Sequence, residues 1–271
     1  MIKIGVIGCG FIGSQICMAI DSGLVVAELA GIFDFSGEKV DSVLRELKNS
    51  SPKKVTPEEM AKSCDLVIEC ASQEAVLKYA PMILENGKNM MILSAGAFQN
   101  PDFYAKIQKA ASNHNCKVYL PSGAIAGTDG LKSAAIAGLK SVTVTTRKPI
   151  SGLIGSPYLT EKKINLTDIT TPTLLFEGKA ADAVVAFPKN VNICATISLC
   201  GIGFEKTVVK IIADPTISDN IHELEVFGDF GHMKMRIENK PSPINPKTSY
   251  LAALSAISTL KRITDPIQIG V

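Results

Sequence analysis

Lys3-Ile4-Gly5-Val6-Ile7 runs directly into Gly8-Cys9-Gly10-Phe11-Ile12-Gly13, and this stretch decides the fold. The first five residues read as a buried strand, and segment 14–22 carries a helical pattern. A glycine-rich turn between strand and helix is a dinucleotide fingerprint. Gly8 permits the tight turn, Gly10 lets a pyrophosphate approach the backbone, and Gly13 lets helix and strand pack closely. Phe11 and Ile12 sit where the helix N-terminus offers unpaired N–H groups and positive potential to phosphates. These five residues are the first candidate cofactor contacts. Asp34 is the next: it follows the second strand, 25–33, and stands 21 positions after Gly13. Its carboxylate suits the two ribose hydroxyls and repels a 2′-phosphate. The residues that follow are Phe35-Ser36-Gly37-Glu38-Lys39, with no arginine directly after Asp34. NAD is therefore the expected cofactor, and Ser36 and Lys39 leave NADP open.

Outward from the fingerprint, helical patterns at 39–48, 73–86 and 102–113 alternate with strand-like runs at 66–70, 89–94 and 117–120. Strands separated by helices of about ten residues mean βαβ units and a parallel sheet. After Pro121 the texture changes. Runs at 143–148, 207–212, 222–226 and 232–238 read as strands, and the last two flank Phe227-Gly228-Asp229-Phe230-Gly231, a hairpin turn with glycine relief. Met233, Met235 and Ile237 share one face there; His232, Lys234, Arg236 and Glu238 share the other. A final helix at 249–260, with Thr248 as its N-cap, is expected to return to the first domain. The expected fold is α/β: an N-terminal Rossmann dinucleotide-binding domain at 1–120 plus 249–271, and a smaller mixed α/β (α+β) domain at 121–248.

Composition narrows the function classes. Of 271 residues 46% are hydrophobic and 20% charged, enough apolar surface for a sizeable core. Lys+Arg 28 against Asp+Glu 26 leaves +2, so no charge excess points to nucleic acid. No apolar run approaches the roughly 20 residues that span a bilayer, and the start lacks the pattern of a signal peptide. Seven cysteines without a CxxC pair read as free thiols in a reducing cytoplasm, with no metal site expected.

Three histidines are candidate proton carriers. His114 lies in the polar turn Ser112-Asn113-His114-Asn115, and His232 sits beside Lys234 and Arg236 on the polar strand face, so both read as solvated. His222 alternates with Leu224 and Val226, opposite Glu223 and Glu225. An imidazole on an inward sheet face either packs against a partner or lines a cleft, and the pattern alone leaves both open.

Four later segments carry a resemblance. Pro121-Ser122-Gly123-Ala124-Ile125-Ala126-Gly127, Phe187-Pro188-Lys189-Asn190-Val191-Asn192, His222-Glu223 with Gly228-Asp229-Phe230-Gly231, and Asn245-Pro246-Lys247-Thr248-Ser249 together resemble the L-aspartate dehydrogenase family. The resemblance runs from residue 1 to about 260. It implies NAD(P)-dependent oxidation of L-aspartate to iminoaspartate, which hydrolyses to oxaloacetate and ammonia. It further implies a place in quinolinate and NAD synthesis, with functional coupling to quinolinate synthase, and a homodimer formed through the second domain. His222 matches the family's catalytic histidine, and Ala124 and Asn190 its nicotinamide-side contacts. The segment 153–171 departs from the smallest relatives and reads as a loosely patterned insertion. Hydride leaves Cα only once the amine is neutral, so a base with a pKa near operating pH suits the chemistry. A dicarboxylate also calls for cations, and Lys189, Lys247 and the Arg147-Lys148 pair lie in segments expected to line an interdomain cleft. Two other readings compete: a related imino-acid or semialdehyde reductase, and a non-catalytic NAD-sensing Rossmann protein.

Overall fold

The structure, a computed structural model, describes residues 1–188, 192–242 and 248–269. It divides into two compact units, Met1–Pro121 with Ala253–Val271, and Ser122–Ala252.

The first unit alternates strands and helices: β1 (Lys3–Ile7), α1 (Phe11–Asp21), β2 (Glu28–Phe33), α2 (Gly37–Glu46), β3 (Lys53–Lys54), α3 (Pro57–Ser63), β4 (Leu66–Glu69), α4 (Gln73–Glu85), β5 (Asn89–Ile92), α5 (Pro101–Asn113) and β6 (Val118–Tyr119). All neighbours pair in parallel, in the order β3-β2-β1-β4-β5-β6. That order reverses direction between β1 and β4, the switch point where this architecture places a ligand beyond the carboxyl ends of the strands. The fold is Rossmann-type. β4 is buried at every position, as a central parallel strand covered on both faces must be. Two short elements at 53–63 were absent from the sequence reading, and β2 begins at Glu28 rather than at residue 25.

The second unit contains α6 (Thr128–Ala137), β7 (Leu139–Lys148), α7 (Pro157–Glu161), β8 (Thr173–Lys179), α8 (Ala180–Ala186), α9 (Asn192–Cys200), β9 (Val208–Ala213), β10 (Asn220–Gly228) and β11 (Gly231–Asn239); α10 (Tyr250–Thr264) begins within it. Its five-stranded mixed sheet runs β11-β10-β7-β9-β8, with only β7 and β9 parallel. The hairpin pairs Gly228 with Gly231, and Met233, Met235 and Ile237 lie on its less exposed face. Segment 153–171 is not loosely patterned: Leu153 and Leu159 are buried in the core, and Ile164, Leu166 and Ile169 pack against it. Further along, Ala256, Ile257 and Leu260 of α10 enter the first unit's core with Ile4, Ile16 and Ile32. Among the described residues no helix is long and apolar enough to cross a membrane.

Candidate active site

In the first unit the glycine loop has the geometry its residues dictate. Gly8 has φ +105°, and a Cβ there would stand 2.8 Å from the Cys70 carbonyl carbon, so a side chain is excluded twice over. A Cβ on Gly13 would collide with the Gly8 carbonyl oxygen. Nothing lies within 4 Å of a Cβ placed on Gly10. The space over the loop is open where a pyrophosphate would approach, and Gly10 caps α1 without a side-chain hydrogen bond. Asp34 stands beside this loop. Its Oδ2 accepts from the Cys9 N–H at 2.8 Å and its Oδ1 from the Ser36 N–H at 2.9 Å, with Lys39 Nζ 4.0 Å from Oδ1. Each oxygen keeps acceptor capacity for a ribose hydroxyl. The residues present fit a dinucleotide.

Glu69 escaped the sequence reading. It ends β4, is fully buried, and gathers four donors. Oε1 accepts from Ala71 N–H and Ser72 N–H at 2.8 Å each and from Ser94 Oγ at 2.9 Å, while Oε2 accepts from Ser94 N–H at 3.2 Å. Burial pushes its carboxyl up to about 7, against the pull of those hydrogen bonds. The signal available was an acid closing the run Leu66-Val67-Ile68, just before the Ser72 cap of α4.

In the second unit one face of the sheet changes character along its length. Val142 lies opposite Val226 and Val144 opposite Leu224, all four buried in the core. The next same-face pair is Thr146 and His222, whose Oγ1 and Nδ1 are 3.1 Å apart. Lys148 and Asn220 follow, two residues further on each strand. All four polar residues are buried. Burial, and then the Lys148 charge, push the His222 imidazole down to about 3, so it is held neutral rather than poised near operating pH as the sequence suggested.

The other sequence candidates distribute as follows. Arg147 alternates to the opposite face from His222, where its Nη1 is 3.1 Å from Asp214 Oδ2. Burial works to raise the Asp214 pKa, but hydrogen bonds from Thr216 and Arg147 hold the carboxyl below the usual range. Ala124 is buried, and its carbonyl accepts from Asn239 Nδ2 at 2.9 Å. Lys189, Asn190 and Lys247 lie outside the described residues. His114 is exposed beyond α5, and His232 is stacked on Phe227 at 4.2 Å between ring centroids.

Comparisons with known proteins bear on both units. Residues 8–121 match the family model described as the NAD binding domain of homoserine dehydrogenase, and residues 129–263 match that of the aspartate dehydrogenase C-terminal domain. An L-aspartate dehydrogenase of Methanosarcina barkeri is 55% identical over 270 residues, covering all of both chains. The chain belongs to the L-aspartate dehydrogenase family. A member from Nitrosopumilus maritimus is 44% identical over 273 residues, again with full coverage. The crystal structure of aspartate dehydrogenase from Thermotoga maritima superposes with a TM-score of 0.73 at 28% identity, covering 99% of each chain. A scyllo-inositol dehydrogenase of Lactobacillus casei, at 15% identity and TM-score 0.62, covers 100% of this chain and 90% of its own, and shares the fold. The family is one of NAD(P)-dependent dehydrogenases, and the first unit is its nucleotide-binding domain.

Proposed function

We propose that this chain oxidises L-aspartate to iminoaspartate, with NAD preferred to NADP, and that His222 is its base. The observation that carries the reading is the buried Thr146–His222 pair at the point where a sheet face turns from apolar to polar. Gly8, Gly10, Phe11, Ile12, Gly13 and Asp34 would hold the dinucleotide, with Ala124 and Asn190 toward the nicotinamide. When bound, the nicotinamide supplies the hydride acceptor. The chain's own work is proton handling and positioning. With Nδ1–H donated to the Thr146 hydroxyl, His222 presents the Nε2 lone pair to the substrate ammonium and takes its proton. The neutral amine then supports loss of hydride from Cα, leaving iminoaspartate. The same imidazole can activate the water that converts the imine to oxaloacetate and ammonia. Lys189, Lys247 and Arg147 are candidates for the substrate's carboxylates. Asp214 already engages Arg147, which favours the two lysines.

The imine product suits supply to quinolinate synthase, in a cytoplasmic setting where the free thiols persist, and a homodimer is the proposed assembly. Absorbance at 340 nm tests the reaction directly, with L-aspartate, L-alanine, L-glutamate and D-aspartate against both cofactors. L-Aspartate with NAD should give the highest kcat/KM. Losing the β-carboxylate leaves a buried cation unpaired, which costs on the order of several kcal/mol in discrimination. Equal kcat/KM for L-alanine and L-aspartate would remove the dicarboxylate pocket.

A further inference from the structure

We infer that Lys148 and Asn220 form the seat for a carboxylate of the amino-dicarboxylate substrate. The inference rests on the reading of the second unit as the aspartate-oxidising half, and goes beyond it by assigning residues.

The strand alternation is the first support. Val142, Val144, Thr146 and Lys148 share one face of β7, as Val226, Leu224, His222 and Asn220 share one face of β10. Lys148 therefore sits on the base's side of the sheet and Arg147 on the other. The second support is burial. Lys148 is 3% exposed, so the face that carries His222 also carries a buried cationic chain. Asn220 is the third. It is wholly buried, and among the described residues neither its Nδ2 nor its Oδ1 has a hydrogen-bond partner. An amide buried with both functions unpaired is costly, so it implies a group that pairs it.

Gly152 shows that the two side chains converge. A Cβ there would stand 3.5 Å from Lys148 Cδ and 3.7 Å from Asn220 Oδ1. A carboxylate held between the two side chains would take a charge-assisted bond from the ammonium to one oxygen and an Nδ2–H bond to the other. Oδ1 is then left to accept from the substrate's own nitrogen. There is a consequence for the base. Among the described residues Lys148 is the one charge that acts on His222, and it opposes protonation. A carboxylate resting on Lys148 offsets that field, so the imidazole gains basicity when substrate is bound.

The test uses Lys148→Met and Asn220→Leu, both of which replace a buried polar chain with an apolar one of similar size. Each should raise KM for L-aspartate at least tenfold while the dissociation constant for NAD, read by fluorescence titration, stays at the wild-type value. Asn220→Leu should also melt no lower than wild type, since it removes unpaired polar atoms, whereas a purely structural Asn220 would lower the melting temperature. In Lys148→Met without substrate, the His222 ring resonances should titrate at higher pH than in wild type. If Lys148→Met does not fold, Asn220→Leu decides alone. If wild type oxidises L-aspartate and both variants keep its KM, the assignment is overturned while the reaction stands. If wild type does not oxidise L-aspartate, the underlying reading falls first and takes the assignment with it.

Discussion

Two buried polar clusters, one in each unit, differ in a way that separates support from function. Around Glu69 the accounting closes: a single carboxylate meets four donors, from the ends of β4 and β5 and the start of α4. Around His222 it stays open: Thr146 holds one ring nitrogen, yet Asn220 two residues away has both amide functions unpartnered among the described residues. Burial acts on both titratable groups and moves them in opposite directions, the acid up to about 7 and the imidazole down to about 3. A closed network rigidifies the strand ends it joins, whereas an open one has hydrogen bonds left for the proposed ligand.

The largest effect that would break this contrast is on turnover. A positioned base contributes about 10²–10⁴-fold. His222→Ala should lower kcat by that range and leave NAD affinity near wild type, because the glycine loop and Asp34, the proposed main contacts of the dinucleotide, lie in the other unit. His232→Ala should stay within a few-fold: its ring is surface-stacked on Phe227 and 3.3 Å from Glu225. His114→Ala, on the exposed end of α5, should do the same. Near-normal turnover in His222→Ala, with circular dichroism showing a folded protein, would make the second cluster structural like the first.

The next effect is on stability. Glu69→Gln keeps one acceptor oxygen but turns an amide N–H toward the Ser94 N–H, so it should destabilise by about 1–3 kcal/mol in chemical denaturation. The pH dependence sharpens the contrast. Glu69 has a folded pKa of about 7 against the ordinary 4.5 of a glutamate, so its contribution is full below 4.5 and is lost as pH rises through 7. The stability gap between wild type and Glu69→Gln should narrow over that window. His222 has a folded pKa near 3 against 6.5, so its contribution is present above 6.5 and fades as pH falls toward 3. The gap between wild type and His222→Ala should therefore narrow in the opposite direction. Parallel slopes in the two variants would mean that the two sites do not differ in kind.

How far these clusters were legible depends on whether their logic is local. The strand, glycine turn and helix of 3–21 are contiguous, and the alternation that puts His222 inward needs only its own strand. The capping box of α3 was local too and could have been read: Thr56 Oγ1 accepts from Glu59 N–H while Glu59 Oε2 accepts from Thr56 N–H, a pattern visible in Thr56-Pro57-Glu58-Glu59. Segment 180–186, Ala-Ala-Asp-Ala-Val-Val-Ala, has no clear period, and α8 went unread. Glu69 needs Ser94 from the neighbouring strand, and Asn220 needs the register of β10 against β7. Cross-strand partners are set by pairing, which the linear pattern does not encode. Lys148 shares parity with Thr146 and Arg147 does not, and the strand read at 143–148 already contained all three.

Asp34 stands between the two extremes and gives the smallest effect. Like Glu69 it anchors backbone, through Cys9 N–H at 2.8 Å and Ser36 N–H at 2.9 Å; like the His222 cluster it keeps acceptor capacity for a ligand. Removing it should do two separable things. Asp34→Ala loses the anchor of the glycine loop, which weakens both cofactors, and loses the negative charge, which disfavours a 2′-phosphate. Lys39 Nζ is 4.0 Å from Oδ1, so removing the carboxylate also leaves that cation without its anionic neighbour, which favours a phosphate. Asp34→Asn keeps a carbonyl acceptor for one backbone donor and loses the other acceptor together with the charge. The ratio of NAD to NADP affinity should therefore fall roughly tenfold in both variants, equivalent to about 1.4 kcal/mol, with absolute NAD affinity retained better in Asp34→Asn. Titration of both cofactors into both variants reads these quantities directly. An unchanged ratio would leave Asp34 with the anchoring role alone, on the closed side of the comparison.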